Sequence, residues 1–252
     1  MRGRLIHGPE DLRGPMHMAI DDVLARRVGR GSEPVLRWYA WSEPEIAIGY
    51  FQSIRDEVDL NACEQDDIRV FRRMSGGGAV YKDPHGEINY TILIPERAEL
   101  ARILESYQVI CTPIITALKS LGIDAEFAGI NDITVGGKKI SGNAQTRIHG
   151  AILQHGTILV DFNPQLMARY LRFSKAKLSD KQVEGMAERV TTLTTLIPGI
   201  SAEQVMDEIS TSFSDYLGIA FEESTISEEE YAAAETLAAQ QYDTEAWNRW
   251  RS

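Results

Sequence analysis

Alternating hydrophobic and polar residues predict several β-strands in the first two thirds of the chain. The strand-like segments are residues 35–39, 45–50, 68–71, 86–95 and 151–162. In the fourth segment an isoleucine or tyrosine occupies positions 88, 90, 92 and 94, which is typical of a strand buried on one face. The fifth is a longer apolar run that Gln154 and His155 interrupt.

Helical periodicity is strongest in residues 16–28 and 96–121. Gly122 is placed to cap the end of the second helix, and Pro113 inside it predicts a kink or a split. The last third is predicted to be mostly helical, since Ser201 and Ser227 each precede a Gln or Glu by three positions, as in a capping box.

The predicted fold class is α+β. Gly136-Gly137 separates two strand-like segments and so predicts a β-hairpin. Strands and long helices are interleaved without the strict alternation of a doubly wound sheet, which favours a mixed or antiparallel sheet flanked by helices. We expect one domain over residues 1–252.

Composition narrows the class of protein. The net charge of −11 argues against sequence-independent binding to nucleic acid, which needs a basic face. No apolar run is long enough for a membrane helix or a secretion signal, so we expect a cytoplasmic protein. The two cysteines, Cys63 and Cys111, are too few for a disulfide framework and are predicted to be small buried residues.

A glycine-rich segment carries the strongest chemical signal. It reads Arg72-Arg73-Met74-Ser75-Gly76-Gly77-Gly78-Ala79-Val80-Tyr81. Three glycines let a ligand approach the main chain, and two arginines offer charge and fork geometry to a phosphate or carboxylate. The alternative is a flexible turn with solvated arginines, but the flanking strands favour a binding loop.

A second signal surrounds the predicted hairpin. Asn131-Asp132-Ile133 is followed by Gly136-Gly137-Lys138-Lys139-Ile140-Ser141-Gly142-Asn143-Ala144-Gln145. Strand alternation puts Lys138 and Lys139 on opposite faces, so one can enter a pocket while the other faces solvent. An exposed turn with surface lysines is the alternative. The pattern is not a P-loop, because a second lysine follows Lys138.

A third signal is Gln154-His155-Gly156-Thr157 within an apolar strand. Polar side chains there need buried partners or a pocket, and a structural histidine remains the alternative. No G-x-S-x-G segment is present, so nothing indicates a serine hydrolase.

These segments, in this order, resemble the lipoate–protein ligase family, which belongs to the wider biotin/lipoate ligase and octanoyltransferase superfamily. The resemblance covers nearly the whole chain, from Met18-Ala19-Ile20-Asp21-Asp22 to Tyr242-Asp243-Thr244-x-x-Trp247-Asn248. The triple-glycine and Lys-Ile-Ser-Gly segments are its most specific parts. The chain departs from the family at Lys82, where many members have His, and no role is assigned to that lysine.

The resemblance implies a class II synthetase/biotin–lipoate ligase-like fold and a set of site residues. It implies that Lys139 is catalytic and touches the carboxylate and phosphate of lipoyl-AMP. The implied lipoate and lipoyl-AMP contacts are Arg72, Arg73, Ser75, Gly76, Gly77, Gly78, Tyr81, Lys139, Ser141, Gly142, Ala144, His155, Gly156 and Thr157. The implied nucleotide contacts are Val80, Asp83, Asn131 and Asp132, with Asp132 as a magnesium ligand. ATP and Mg²⁺ are implied as reactants, with no tightly bound cofactor.

The resemblance also implies partners. Lipoate is activated as lipoyl-AMP and transferred to a lysine of an apo lipoyl-domain protein, either the glycine-cleavage carrier or a 2-oxoacid dehydrogenase subunit. Full-length ligases carry a small accessory domain after the Trp-Asn segment, whereas this chain stops four residues past Asn248. We therefore expect either a separate accessory ligase subunit or an accessory domain that is dispensable or absent.

Two alternatives compete with the ligase. An octanoyltransferase of the same superfamily forms a thioester on a cysteine. The resemblance places that cysteine just before the strand that leads to the hairpin or just before the His-Gly pair, but residues 127–130 and 150–154 contain none. A non-catalytic lipoyl- or acyl-binding domain would not need Lys139, Asp132 and the arginine pair, whose burial without a ligand costs stability.

Overall fold

The computed structural model describes residues 1–9, 11–172 and 189–251, which form two β-sheets flanked by helices. The strands are β1 (Arg2–His7), β2 (Val35–Tyr39), β3 (Glu45–Ile48), β4 (Arg69–Arg72), β5 (Val80–Lys82), β6 (Glu87–Pro95), β7 (Ala125–Ala128), β8 (Asp132–Val135), β9 (Lys138–Ile148), β10 (Ala151–Leu159) and β11 (Ala220–Ser224). The helices are α1 (Gly14–Gly29), α2 (Ile54–Glu57), α3 (Leu60–Gln65), α4 (Ile103–Ser120), α5 (Pro164–Tyr170), α6 (Leu193–Leu196), α7 (Ala202–Leu217), α8 (Glu228–Leu237) and α9 (Glu245–Asn248).

The larger sheet has the strand order β11-β1-β2-β6-β10-β9-β8-β7. Strand β1 is parallel to both of its neighbours, and the remaining pairs are antiparallel. The predicted mixed sheet is therefore confirmed. Strands β1 and β11 were not predicted, because they pair with each other across more than 200 residues of chain.

The smaller sheet has the order β4-β3-β5, with β3 parallel to β4 and antiparallel to β5. It holds the two ends of the glycine-rich segment, since β4 ends at Arg72 and β5 begins at Val80. The predicted strands at residues 45–50 and 68–71 are thus confirmed to within two residues at each end.

The two faces of the larger sheet pack against different helices. On one face, Trp38 and Tyr90 pack with Phe213 of α7 and Ile110 of α4 in the larger hydrophobic core. On the other face, α1 packs on the sheet through side chains that include Leu24. Burying a side chain of this size contributes roughly 1.5–3 kcal/mol, so both layers hold the sheet in place.

A buried ion pair fastens α1 to the larger sheet. Arg37 Nη1 on β2 donates to Asp21 Oδ1 on α1 at 2.9 Å, and Thr91 Oγ1 on β6 donates to Asp21 Oδ2 at 2.7 Å. Arg37 Nη2 lies 2.6 Å from His17 Nδ1, while His17 Nε2 lies 3.0 Å from the carbonyl of Ala40. His17 therefore donates through Nε2 and accepts through Nδ1, and burial lowers its pKa well below the ordinary value.

Helix boundaries follow the predicted caps. Ser201 and Ser227 accept hydrogen bonds from the backbone of Gln204 and Glu230, and Gly122 follows α4 with φ of +85°. The expected split at Pro113 is wrong, because α4 continues through it as one helix. Within the described part of the chain, none of the helices is both long and apolar enough to cross a bilayer.

Candidate active site

A cavity of about 240 Å³ lies between the smaller sheet, α1 and the central strands of the larger sheet. Most of the residues that the sequence singled out meet there. Those that line it are Arg73, Gly77, Gly78, Val80, Tyr81, Asn131, Lys139, Gly142, Ala144, His155, Gly156 and Thr157. Three segments that are far apart in the chain therefore form one site.

The glycine-rich loop is organised by Arg73. Its Nη2 donates to the carbonyls of Gly76 at 2.8 Å and Gly78 at 2.7 Å, and its Nη1 donates to the carbonyl of Ala47 at 3.1 Å. Gly77 lies between those carbonyls at φ +97°, a conformation that favours glycine. Burial lowers the pKa of Arg73 to about 10, so it remains charged at neutral pH.

Arg72 lies behind the loop and is not among the described cavity-lining residues. Its Nη1 donates to the carbonyls of Gly49, Tyr50 and Gln52, and its Nη2 donates to the carbonyl of Asn248. This arginine joins β4 to the C-terminal segment. Its contact with lipoate stays a prediction, and its observed hydrogen bonds join β4 to residues 49–52 and to the C-terminal residues.

Asp132 and four further predicted residues, Ser75, Gly76, Asp83 and Ser141, are also outside the described cavity lining. Ser75 Oγ lies 2.6 Å from His155 Nε2, and Asp83 Oδ1 accepts from the backbone of His85 and Gly86 in a turn. Gly76 accepts from Arg73. Ser141 Oγ is buried and has no hydrogen-bond partner among the described residues. Direct ligand contacts from these four residues stay predictions.

The predicted β8–β9 hairpin is confirmed, and its glycines adopt φ of +57° and +78°. Ile133 pairs with Ser141 and Thr134 pairs with Lys139, so Ile140 bulges out of the register with β8. Ile140 is buried in the larger core, whereas Lys139 faces the cavity beside Gly142. Lys138 is exposed, which confirms that the two lysines lie on opposite faces.

Lys139 forms an ion pair with Asp132 at the partly exposed side of the cavity. Its Nζ lies 2.8 Å from Asp132 Oδ1. A Cβ at position 142 would come within 2.6 Å of Lys139 Nζ, so Gly142 provides the space for the ammonium. The neighbouring Asn131 accepts from Asn143 Nδ2 through its carbonyl at 2.9 Å, which holds β8 and β9 together.

The residues around Lys139 fit a magnesium ion if a bound nucleotide supplies most of its ligands. No group of three or more His, Cys, Asp or Glu side chains that would hold a metal occurs in the described ranges. Mg²⁺ commonly binds proteins through one or two carboxylates together with substrate phosphates. Asp132 therefore fits as a single protein ligand to an ion that arrives with a nucleotide.

Polar residues on the inner wall of the cavity were missed by the sequence argument. Lys82 Nζ donates to Glu87 Oε1 at 3.1 Å, to Asn89 Oδ1 at 3.1 Å and to Thr157 Oγ1 at 2.5 Å. Trp41 Nε1 donates to the same Glu87 oxygen at 2.7 Å. These contacts tie β5 to β6 and β10 across the cavity.

These residues were missed because the sequence analysis predicted that β6 is buried on one face only. Strand β6 is buried on both faces, so its polar positions do not face solvent. Glu87 and Asn89 face the cavity, and Thr91 contacts Asp21. Glu87, Asn89 and Thr91 are polar residues at every second position of β6, a strand without exposed residues. That alternation is the sequence signal that would have identified them.

Several buried polar atoms of the wall have no partner within the described part of the chain. They are Glu87 Oε2, Asn89 Nδ2 and His155 Nδ1. Burial, with the charges of Arg73 and Lys82, lowers the pKa of His155 to about 3, so its imidazole is neutral. Unpaired polar atoms beside a cavity indicate a site that is completed by a ligand or by water.

The lipoyl protein ligase A/B catalytic domain model matches residues 14–214, more than three quarters of the chain. The chain belongs to this family. Lipoate-protein ligase A subunit 1 of Thermoplasma acidophilum is 32% identical, with 98% of this chain and 97% of that protein covered. Octanoyltransferase LipM of Symbiobacterium thermophilum is 31% identical, with 93% and 94% covered.

A solved structure supports the same assignment. It is the bi-partite lipoate protein ligase from Thermoplasma acidophilum, described with its E2 lipoyl domain. It superposes with a TM-score of 0.89 at 32% identity, covering 99% of this chain and 96% of that chain. The family thus includes relatives named as ligases and relatives named as octanoyltransferases.

Both cysteines of this family member lie outside the described cavity lining. Cys111 on α4 is buried in the larger core, where its Sγ lies 3.6 Å from Gln154 Nε2. Cys63 on α3 is buried against the smaller sheet. Burial raises the pKa of Cys63 to about 11 and that of Cys111 to about 12. Both are therefore protonated thiols, and the prediction that they are small buried residues is confirmed.

Proposed function

We propose that this chain is an ATP-dependent lipoate–protein ligase that activates lipoate as lipoyl-AMP and transfers the lipoyl group to a lysine of an acceptor protein. One observation carries the proposal: the cavity is lined by Lys139 next to Asp132, whereas both thiols of the chain are buried elsewhere. Such a site suits chemistry by charge stabilisation and not by an enzyme thioester.

In the first step, a lipoate carboxylate oxygen bonds to the α-phosphorus of ATP, and the bond to the pyrophosphate oxygen breaks. Negative charge accumulates on the phosphoryl oxygens, and the Lys139 ammonium is placed to stabilise it. Asp132 is the carboxylate that would hold a nucleotide-borne magnesium ion, which supplies further charge neutralisation at the phosphates. Arg73 keeps the glycine-rich loop in shape through Gly76 and Gly78.

In the second step, the amine of the acceptor lysine attacks the acyl carbonyl of lipoyl-AMP, and AMP leaves with the bonding electrons. The mixed anhydride is reactive, so the enzyme needs no nucleophile of its own. Positioning and charge are sufficient for the transfer. Met18, Trp41 and Phe71 supply apolar surface for the acyl tail.

An ATP-independent octanoyltransferase is the second candidate. The name of the Symbiobacterium relative favours it. Such an enzyme carries the acyl group on a cysteine thiolate, however, and the thiols of Cys63 and Cys111 are protonated, buried and outside the described cavity lining. A non-catalytic acyl-binding domain is the third candidate and predicts no turnover at all.

The partners follow from the same proposal. We propose an apo lipoyl domain as acceptor and a separate accessory subunit, because the related Thermoplasma ligase is bi-partite and was described with an E2 lipoyl domain. ATP and Mg²⁺ would be supplied in the cytoplasm, which is the proposed location.

The test is acylation of an acceptor with two donors in parallel. The purified chain is incubated with an apo lipoyl domain and either lipoate with MgATP or an octanoyl carrier protein without ATP, each with and without the candidate accessory protein. Release of AMP with a lipoyl mass shift on the acceptor is expected. Modification only from the carrier protein would establish the transferase instead, and no modification from either donor would favour the non-catalytic domain.

A further inference from the structure

Asn143 is a buried amide in the cavity lining that the sequence did not single out as a site residue. Its Nδ2 donates to the carbonyl of Asn131 at 2.9 Å, and its backbone N donates to the same carbonyl at 3.0 Å. In return, Asn131 Nδ2 donates to the carbonyl of Asn143. Asn131 lies between β7 and β8, directly before Asp132. Asn143 therefore holds the segment from which the Asp132 carboxylate extends.

Tyr90 sets the orientation of the Asn143 amide. The Tyr90 hydroxyl accepts from Gln154 Nε2 at 2.8 Å, so its own proton is donated to Asn143 Oδ1 at 2.6 Å. Burial raises the pKa of Tyr90 well above its ordinary value, so the phenol stays protonated and remains a donor. Because Tyr90 holds the amide oxygen, the amide nitrogen is directed at the carbonyl of Asn131.

Gly156 provides the space for this arrangement. A Cβ at position 156 would overlap Asn143 Oδ1 and the ring of Tyr90. A larger residue there would therefore displace one of the two partners. The glycine of the predicted His-Gly pair thus permits the contact between Asn143 and Tyr90, in addition to lining the cavity.

We propose that Asn143, oriented by Tyr90, is a positioning residue that holds the Asp132 carboxylate beside the Lys139 ammonium. The side chains of Lys139 and Asp132 are 41% and 37% exposed, so their ion pair alone fixes its geometry only weakly. The buried hydrogen bonds between Asn143 and the residue before Asp132 supply a stronger constraint. The inference rests on the proposed function, because that function assigns Lys139 and Asp132 to the reaction.

Two substitutions release this constraint to different extents. Asn143→Leu removes the hydrogen bonds of the amide and keeps a side chain of similar size, so Asp132 should separate from Lys139 more often. Tyr90→Phe leaves the amide in place but free to rotate, so its effect should be smaller and in the same direction. When Asp132→Asn is already present, neither substitution should change Lys139 further, because Asn143 acts through the missing carboxylate. A merely structural role of Asn143 would disturb Lys139 in that background as well.

The experiment measures how fast acetic anhydride acetylates Lys139 relative to Lys138 in the protein without ligands, with fragment mass spectra distinguishing the two lysines. Lys138 is exposed and serves as the internal reference in each variant. We expect Asn143→Leu and Asp132→Asn each to raise the Lys139-to-Lys138 ratio roughly two- to fivefold, because a partly exposed ion pair restrains its ammonium by about that factor. Thermal unfolding confirms that each variant folds. If Asn143→Leu does not fold, Tyr90→Phe with and without Asp132→Asn provides the same test.

The outcomes separate this inference from the proposed function. A ratio that rises in Asn143→Leu, with no further rise when Asn143→Leu is added to Asp132→Asn, supports it even if the wild type releases no AMP. An unchanged ratio in the folded variant, or a further rise in the Asp132→Asn background, overturns it even if the wild type is an active ligase. In an active ligase, Asn143→Leu should also slow AMP release roughly tenfold while the KM for lipoate stays the same. An unchanged rate would overturn the inference as well.

Discussion

Two buried ion pairs lie on the same face of the larger sheet, and they differ in how completely their polar atoms are paired. In the Arg37–Asp21 pair, both carboxylate oxygens and the guanidinium find partners in Thr91, His17 and the backbone. Around the Lys82–Glu87 pair, Glu87 Oε2 and Asn89 Nδ2 have no partner within residues 1–9, 11–172 and 189–251.

Such a difference is expected between a buried network that stabilises the fold and one that lies at a binding site. A fully paired buried network fixes one arrangement of the chain, and breaking it leaves a buried charge without compensation. An incompletely paired network costs stability, and such sites are concentrated where proteins bind or react. The first pair holds α1 on the sheet, and the second lines the cavity.

The largest expected effect comes from breaking the fully paired network. We expect Arg37→Met to lower the free energy of unfolding by about 3–5 kcal/mol, because Asp21 and His17 lose their common partner in a buried site. Lys82→Met should cost only about 1–3 kcal/mol, since Glu87 keeps Trp41 as a donor and borders the cavity, where water can solvate it, whereas Asp21 does not line that cavity. Urea unfolding of both variants measures the contrast, and equal losses would contradict it.

The next effect concerns the reactive side of the cavity. Lys139→Met should lower the rate of AMP release roughly 100- to 1,000-fold, since it removes the ammonium that stabilises phosphoryl charge. Lys138→Met is the matched control, because it removes the same group one position away on the exposed face. Single-turnover kinetics distinguish the two lysines. Similar losses in both would mean that Lys139 does not act at the phosphate.

Glu45 is a third buried carboxylate, and it differs from the other two because its hydrogen-bond partner is a backbone N–H and not a cation. Glu45 Oε2 accepts from Gly14 N at 2.6 Å, and burial raises the pKa of Glu45 from 4.5 to about 7. The folded state therefore binds more protons than the unfolded state between these values, so its contribution to stability falls as pH rises from about 4.5 to about 7.

Glu45→Gln has no titrating carboxyl group at this position. We therefore expect its unfolding free energy, relative to that of the wild type, to be higher at high pH than at low pH. Relative to wild type, we expect the variant to gain up to roughly 3 kcal/mol of unfolding free energy between pH 4.5 and pH 8. Urea unfolding at pH 5, 6, 7 and 8 gives the difference at each pH. A difference that does not change with pH would show that Glu45 titrates in the folded state as it does in the unfolded chain.

The smallest effect tests the space beside Lys139. Gly142→Ala puts a methyl group where the Lys139 ammonium lies, so we expect activity to fall about tenfold, or roughly 1.4 kcal/mol in the barrier. Stability should change little, because Lys139 can move toward solvent. The rate of AMP release and the unfolding free energy, each compared with the wild type, test this, with Ala144→Gly as the control that enlarges the space on the same strand face. An undiminished rate would mean that the ammonium does not act from its observed position.

Local patterns predicted much of the fold and part of the site. The two glycines at 136 and 137 predicted the hairpin. Strand alternation predicted that one of Lys138 and Lys139 enters a pocket while the other faces solvent, and Lys138 is the exposed one. The glycine-rich loop was predicted because its residues are contiguous in the chain. These features depend on neighbours within about ten residues, where periodicity and turn geometry are decisive.

Features that depend on distant parts of the chain were not predicted. Lys82 on β5 of the smaller sheet contacts Thr157 on β10 of the larger sheet, 75 positions further along the chain, and no local pattern shows how two sheets face each other. The acceptors of Arg72, which lie in residues 49–52 and near Asn248, were not predicted either, and its contact with the ligand stays a prediction. Strand β1 is recognisable only with its parallel partners.

The most direct test of the ligase account is lipoylation by a variant without cysteines. Cys63→Ser with Cys111→Ala removes both thiols of the chain. After thermal unfolding has confirmed that the variant folds, it is incubated with lipoate, MgATP and an apo lipoyl domain. The account predicts AMP release and a lipoyl mass shift on the acceptor at the wild-type rate. Loss of acceptor modification in the folded variant would show that a thiol carries the acyl group, and would contradict the account.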